Sequence, residues 1–258
     1  MKKLGLLITL FALAVNVAQA KEWKQIRFGV EGAYPPFSKT EADGSVTGFD
    51  IDIANALCAQ MQAKCILVKQ DWDGIIPALL GRKFDAIIAT MDITAERKKK
   101  VAFTDKYQQI PARFVALKGT DYQASEAFMD GKKIGVQRAT TMDLYISDNF
   151  PSAKIKRYGS ADEAYLDLKA GRLNYVMADS AAIVDGLLSK AGGDKFEFVG
   201  PKLTDSKWFG EGAGIAVRKQ NKDLVKQLNL AIAAIRADGT YKKIQDKYFT
   251  FDIYGSAQ

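Results

Sequence analysis

Trp72, Thr90, Asp92 and Arg97 are the residues whose types and spacing could do chemistry: an aromatic plate, two short polar acceptors and a planar cation in one stretch of chain. Ile75, Ile76, Leu79 and Leu80 recur at helical spacing, and the short apolar run 86–89 reads as a buried parallel strand. In open α/β sheets a ligand is held beyond the carboxyl ends of the strands. Thr90, Asp92 and Arg97 emerge there, with Thr94 placed to cap the helix that carries Arg97. A guanidinium in that position can grip a carboxylate bidentately. Taken alone, Arg97 fits a surface salt bridge equally well.

The elements that must position these residues alternate along the whole chain. Strand-like runs at 26–30, 65–68 and 86–89 alternate with helical patterns at 49–61 and 75–80. A second set has strands at 134–136, 155–158, 175–178 and 196–199, and helices at 141–149, 161–170 and 180–190. Extended runs at 112–117 and 212–217 and helices at about 224–238 and 241–247 complete the pattern, which is the βαβ rhythm of parallel α/β sheets. Gly81 and Gly171 each end a helix and precede a buried strand, where glycine tolerates the left-handed C-cap. Those two strands end in polar residues, Thr90 to Asp92 and Asp179-Ser180, which suggests two lobes facing one cleft.

Lys2 and Lys3, an apolar stretch over 4–17 and Ala18-Gln19-Ala20 predict a secretory signal peptide over residues 1–20. The apolar stretch is short for a spanning helix, and no cysteine beside the cleavage site suggests a lipid anchor. An exported chain meets an oxidising space, so Cys58 and Cys65 are expected to form a structural disulfide; catalytic dithiols usually have Cys-x-x-Cys spacing. Losing Lys2 and Lys3 takes Lys plus Arg from 37 to 35 against 30 acids, so +7 becomes +5. The basic residues are scattered, without the stripe and reading module of a nucleic-acid binder. There is no histidine, which removes Ser-His-Asp and Cys-His catalysis and histidine-based zinc sites. No dinucleotide fingerprint or P-loop is present, and no cofactor or metal is expected.

Tyr34-Pro35-Pro36-Phe37, Gly48-Phe49-Asp50-Ile51-Asp52, Cys58 with Cys65, Asp73-Gly74-Ile75-Ile76-Pro77, Ile93-Thr94-Ala95-Glu96-Arg97, Ala170-Gly171-Arg172, Phe209-Gly210-Glu211-Gly212 and Asp238-Gly239-Thr240-Tyr241 follow one another in a specific order and spacing. In these phrases the chain resembles type II periplasmic solute-binding proteins of the polar amino acid class, solute-binding protein family 3. The nearest likeness is to the lysine/arginine/ornithine- and histidine-binding components of ABC importers. The resemblance implies an α/β fold of two lobes joined by two hinge strands, with lobe 1 at 21–110 plus 207–258 and lobe 2 at 111–206. It further implies a monomer without enzymatic activity that closes on an amino acid and delivers it to a membrane ABC permease.

Carried over by position, the implied ligand-binding residues are Glu31, Tyr34, Trp72, Ala89, Thr90, Asp92, Arg97, Gln137, Thr141 and Asp179. Arg97 would clamp the α-carboxylate with Thr90 and with Thr141 at a helix N-terminus, a favourable place for an anion. Asp179 would accept the α-ammonium, Tyr34 and Trp72 would sandwich the side chain, and Glu31 would face its distal cation. An isolated tryptophan more often belongs to a core, but Asp71 and Asp73 beside Trp72 favour the cleft. Asp92 and Met142 depart from the family pattern, which commonly has Ser or Thr and Gln there. Glu31, Asp92 and Asp179 against Arg97 leave a pocket near −2, which favours a cationic ligand, with arginine or ornithine ahead of lysine and histidine. An opine-binding variant, a receptor-presenting subunit and an amino-acid dehydratase on the same fold are the alternatives.

Overall fold

The structure is a computed structural model that describes residues 22–255, so the expected leader lies outside the described residues. The chain begins with β1 (Gln25–Val30), a small meander of β2 (Ala33–Tyr34), β3 (Ser38–Thr40) and β4 (Val46–Thr47), then α1 (Phe49–Gln60) and β5 (Lys64–Lys69). It continues through α2 (Ile75–Leu80), β6 (Ala86–Ile87), α3 (Ala95–Lys98) and β7 (Ala102–Gln108). A second unit contains β8 (Ala112–Leu117), α4 (Glu126–Met129), β9 (Lys133–Gln137), α5 (Thr141–Asn149), β10 (Lys154–Tyr158), α6 (Ala161–Lys169), β11 (Tyr175–Asp179), α7 (Ser180–Ile183) and β12 (Phe196–Leu203). The chain returns through α8 (Ser206–Phe209) and β13 (Ala213–Val217) to α9 (Lys222–Ala237) and α10 (Thr240–Tyr248).

Two five-stranded sheets result, ordered β5-β1-β6-β13-β7 and β10-β9-β11-β8-β12. The sequence pattern predicts parallel sheets, and the structure corrects this to mixed ones. β1, β5 and β6 run parallel, as do β9, β10 and β11, but β13 is antiparallel to β6 and β7, and β8 to β11 and β12. The exceptions have a physical cause. A parallel neighbour requires a helical crossover within one unit, whereas β8 and β13 are the first strands after the chain has passed from one sheet to the other.

Helices pack where their apolar stripes dictate. In α1, Phe49, Ile53 and Leu57, and with them Asp50, Ala54 and Cys58, recur every four residues and are all buried. In α9 the buried stripe is Leu224, Leu228, Ala231, Ile232 and Ile235. Both helices cover the first sheet and enter one apolar cluster with Ile26, Phe28 and Ile215. Cys58 and Cys65 form the expected disulfide and tie the end of α1 to β5. The helical pattern expected over 180–190 is α7 followed by a wider π turn, Val184–Leu188. Among the described residues no helix is long and apolar enough to cross a membrane.

Candidate functional site

The carboxyl ends of β1, β6 and β11 and the N-terminus of α5 meet between the sheets. There Glu31, Tyr34, Trp72, Ala89, Thr90, Asp92, Arg97, Gln137, Thr141 and Asp179 all line one cavity of about 300 Å³, together with Thr140 and Met142. Every sequence-expected position is therefore brought to one place, seven from the first unit and three, Gln137, Thr141 and Asp179, from the second.

Arg97 sits on the short helix α3, whose N-cap Thr94 accepts from the Arg97 backbone N–H at 3.2 Å. Its guanidinium lies 5.2 Å from the Trp72 ring centroid, so Trp72 serves as a wall of the cavity and a plate for Arg97 rather than as core. Arg97 Nη1 donates to the Asp92 carbonyl at 3.0 Å and lies 4.0 Å from Asp92 Oδ2. The segment carrying Asp92 is fixed in turn: Ile93 N–H donates to Gly212 O at 2.8 Å, and Gly214 N–H to Met91 O at 3.1 Å. This stitching requires glycine at position 210, where φ is +68° and a Cβ would stand 2.5 Å from the Ile93 carbonyl oxygen.

Hydrogen bonds cross the cleft at each end of the cavity. Thr141 Oγ1 donates to Asp92 Oδ2 at 2.7 Å, and Tyr34 OH to Asp179 Oδ2 at 2.8 Å. Gln137 Nε2 donates to Glu31 Oε1 at 2.6 Å, and Trp72 Nε1 to the Ala139 carbonyl at 3.2 Å. At the rim Arg138 pairs with Asp73 at 3.2 Å.

Enclosure shows in the titrating groups. Burial pushes the Glu31 carboxyl up to about 7, against the hydrogen bond from Gln137. Burial also raises Asp179 well above the usual range, helped by the nearby Asp92 charge, with Tyr34 and Arg97 opposing. Asp92 is raised by burial, against the attraction of Arg97 and the Thr141 hydroxyl. The same burial lowers Arg97, offset by Asp92 and Asp179. Three acids and one base thus share a space that water screens poorly, and added positive charge is the cheapest way to ionise all of them.

Thr141 stands at a helix N-terminus as expected, and the role of Thr90 needs correction. Thr141 is the first residue of α5, capped by Thr140, whose side chain accepts from Asp143 N–H. The N-terminal turn still faces the cavity, with the orphan N–H groups and dipole that suit an anion. Thr90 lines the cavity, but its donors point away from it. Its N–H goes to Tyr107 OH at 3.0 Å and its hydroxyl to Asp50 Oδ2 at 3.0 Å, so no hydroxyl proton remains for a ligand carboxylate. Asp50, with a second bond from Tyr107 OH at 2.9 Å, holds Thr90 in the left-handed region at φ +49°. Sequence reasoning missed this support. Its signal was an acid at a buried position of the α1 stripe, one turn before Ala54.

The comparisons with known proteins fit this geometry. Residues 26–251 match the family described as bacterial extracellular solute-binding proteins, family 3. The chain is 50% identical to the L-arginine-binding protein of Pseudomonas aeruginosa over 258 residues, covering 99% of this chain and 100% of that one. A Salmonella typhimurium periplasmic binding protein, solved to explain its high arginine specificity, superposes with a TM-score of 0.81 at 36% identity, over 88% of this chain and 100% of that one. An ancestral amino acid-binding protein described as a precursor of cyclohexadienyl dehydratase superposes with a TM-score of 0.77 at 33% identity, over 88% of this chain and 96% of that one. With its two-sheet architecture and a match over nearly its whole length, the chain belongs to the bacterial extracellular solute-binding proteins, family 3.

Proposed function

We propose that this protein captures a basic L-amino acid, arginine or ornithine foremost, and delivers it to a membrane ABC permease from the periplasm. The observation that carries the reading is one cavity holding Glu31, Asp92 and Asp179 against the single cation Arg97. Fully ionised, these four groups sum to −2. A neutral amino acid leaves Glu31 to be neutralised by a proton, whereas a guanidinium or ammonium supplies the missing charge. Arg97 and the N-terminus of α5 are assigned to the α-carboxylate, Asp179 to the α-ammonium, and Glu31 to the distal cation.

The lobes are assigned as 21–110 plus 207–258 and 111–206, closing about 109–113 and 207–210. In support, β7 and β8, and β12 and β13, lie in different sheets, joined by residues 109–111 and by residues 204–212, which carry α8. Ligand then shifts the balance from open to closed by contacts made only when both lobes meet. Calorimetry against the twenty amino acids, ornithine, citrulline and an opine tests the reading. Tighter binding of a neutral amino acid than of every cationic one would overturn it. No catalytic step is assigned, and recovery of unchanged arginine after prolonged incubation checks that.

A further inference from the structure

Asp92 places a carboxylate of the chain itself against the two groups assigned to a ligand's carboxylate. Its Oδ2 accepts from Thr141 Oγ1 at 2.7 Å, on the first residue of the nine-residue helix α5, and lies 4.0 Å from Arg97 Nη1. The Asp92 carbonyl accepts from the same Nη1 at 3.0 Å. This is not a mobile surface acid. Its flanking backbone is bonded to the start of β13, and its side chain keeps only 18% of its surface exposed.

We propose that the cavity also binds decarboxylated, dicationic counterparts of basic amino acids, a guanidinium and a primary ammonium joined by an alkyl chain, with Asp92 standing in for the missing carboxylate. The proposal rests on the basic amino-acid reading of this site and extends its ligand class. Charge supports it: Glu31, Asp92 and Asp179 against Arg97 leave −2, which arginine at net +1 only half cancels and agmatine at +2 cancels. Agmatine leaves Arg97 and Thr141 with Asp92, and its cations are free for Glu31 and Asp179. An amino acid instead adds a second carboxylate beside Asp92 in a poorly screened space, where like charges repel strongly. Arginine still binds, because the Arg97 guanidinium has further N–H donors beyond Nη1.

Titration calorimetry of the wild-type protein with arginine and with agmatine, repeated on Asp92→Ser and Asp92→Asn, tests this. The expected result is agmatine binding by the wild type and a ratio of agmatine to arginine affinity that falls about ten- to a hundredfold in both variants, the size of one charge-assisted hydrogen bond. Thermal melting identifies a variant that fails to fold; Asp92→Asn keeps the side-chain shape and then decides alone. Agmatine binding without arginine binding would sink the amino-acid reading and leave this one standing. Arginine binding without agmatine binding, binding of neither, or equal losses for both ligands in the variants would overturn the proposal.

Discussion

At the scale of single residues, the site rests on one cation among acids. Arg97→Ala removes that cation and leaves Asp92 and Asp179 without their opposite charge. The expected loss in arginine affinity is about 2–5 kcal/mol, the range for truncating one partner of a buried charge pair. Near-normal affinity in a folded Arg97→Ala protein refutes the clamp. Glu31, whose carboxylate Gln137 holds by a bond of 2.6 Å, is proposed to face the distal cation instead. Glu31→Gln should weaken arginine far more than the uncharged analogue citrulline, narrowing their ratio by about one to two powers of ten for the loss of one charge-assisted hydrogen bond. Parallel losses for both ligands would show that Glu31 does not read the side chain.

At the scale of elements, sequence and structure agree where a residue's neighbours are local and part where they are not. Arg97 was legible because Thr94 and the 86–89 run fix its helix and strand within a dozen positions of chain. The apolar stripes of α1 and α9 were legible for the same reason. β7 was not: with Thr104, Asp105 and Lys106 at its centre it lacks an apolar run, and it is a strand only because it lies at the sheet edge against β13, over a hundred positions away. The support of Thr90 by Asp50 and Tyr107 is equally non-local. The disulfide belongs to this scale too, since Cys58 and Cys65 join α1 to β5, the edge strand of the first sheet, and neither lines the cavity. Reduction should cost about 2–3 kcal/mol of stability by the chain-entropy of so short a loop and leave arginine affinity nearly unchanged. A calorimetric affinity that drops while the melting temperature stays put would contradict a purely structural bridge.

At the scale of the whole molecule, closing two lobes over several acids ties stability and binding to pH in opposite senses. Burial raises Glu31 from 4.5 and Asp50 from 3.8, each to about 7, and Asp92 and Asp179 move the same way. An acid with a raised pKa holds its proton longer in the folded chain, so folding binds protons and the free protein loses stability as pH rises from about 4 to about 7. Asp85 acts below that window: burial would raise it, but hydrogen bonds from Arg27 bring it down, and its contribution is lost only in stronger acid. A cationic ligand reverses the trend, because it favours the ionised form of the acids that face it. Arginine affinity should therefore climb with pH across the same interval, by up to about a hundredfold between pH ~5 and pH ~8 if one facing group titrates near 7. The rise in melting temperature given by saturating arginine should be larger near pH 8 than near pH 5, and Glu31→Gln should flatten the difference. The Asp50 carboxylate bonds Thr90 and Tyr107, and its charge also raises Glu31 and Asp179, so Asp50→Asn should shift the pH profile of the free protein directly and that of binding by a smaller amount. Differential scanning calorimetry at both pH values, with and without ligand, separates these effects. An arginine-induced shift that is equal or greater in acid would mean that the facing acids are already ionised before the ligand arrives, and the charge argument for a basic ligand would fail with it.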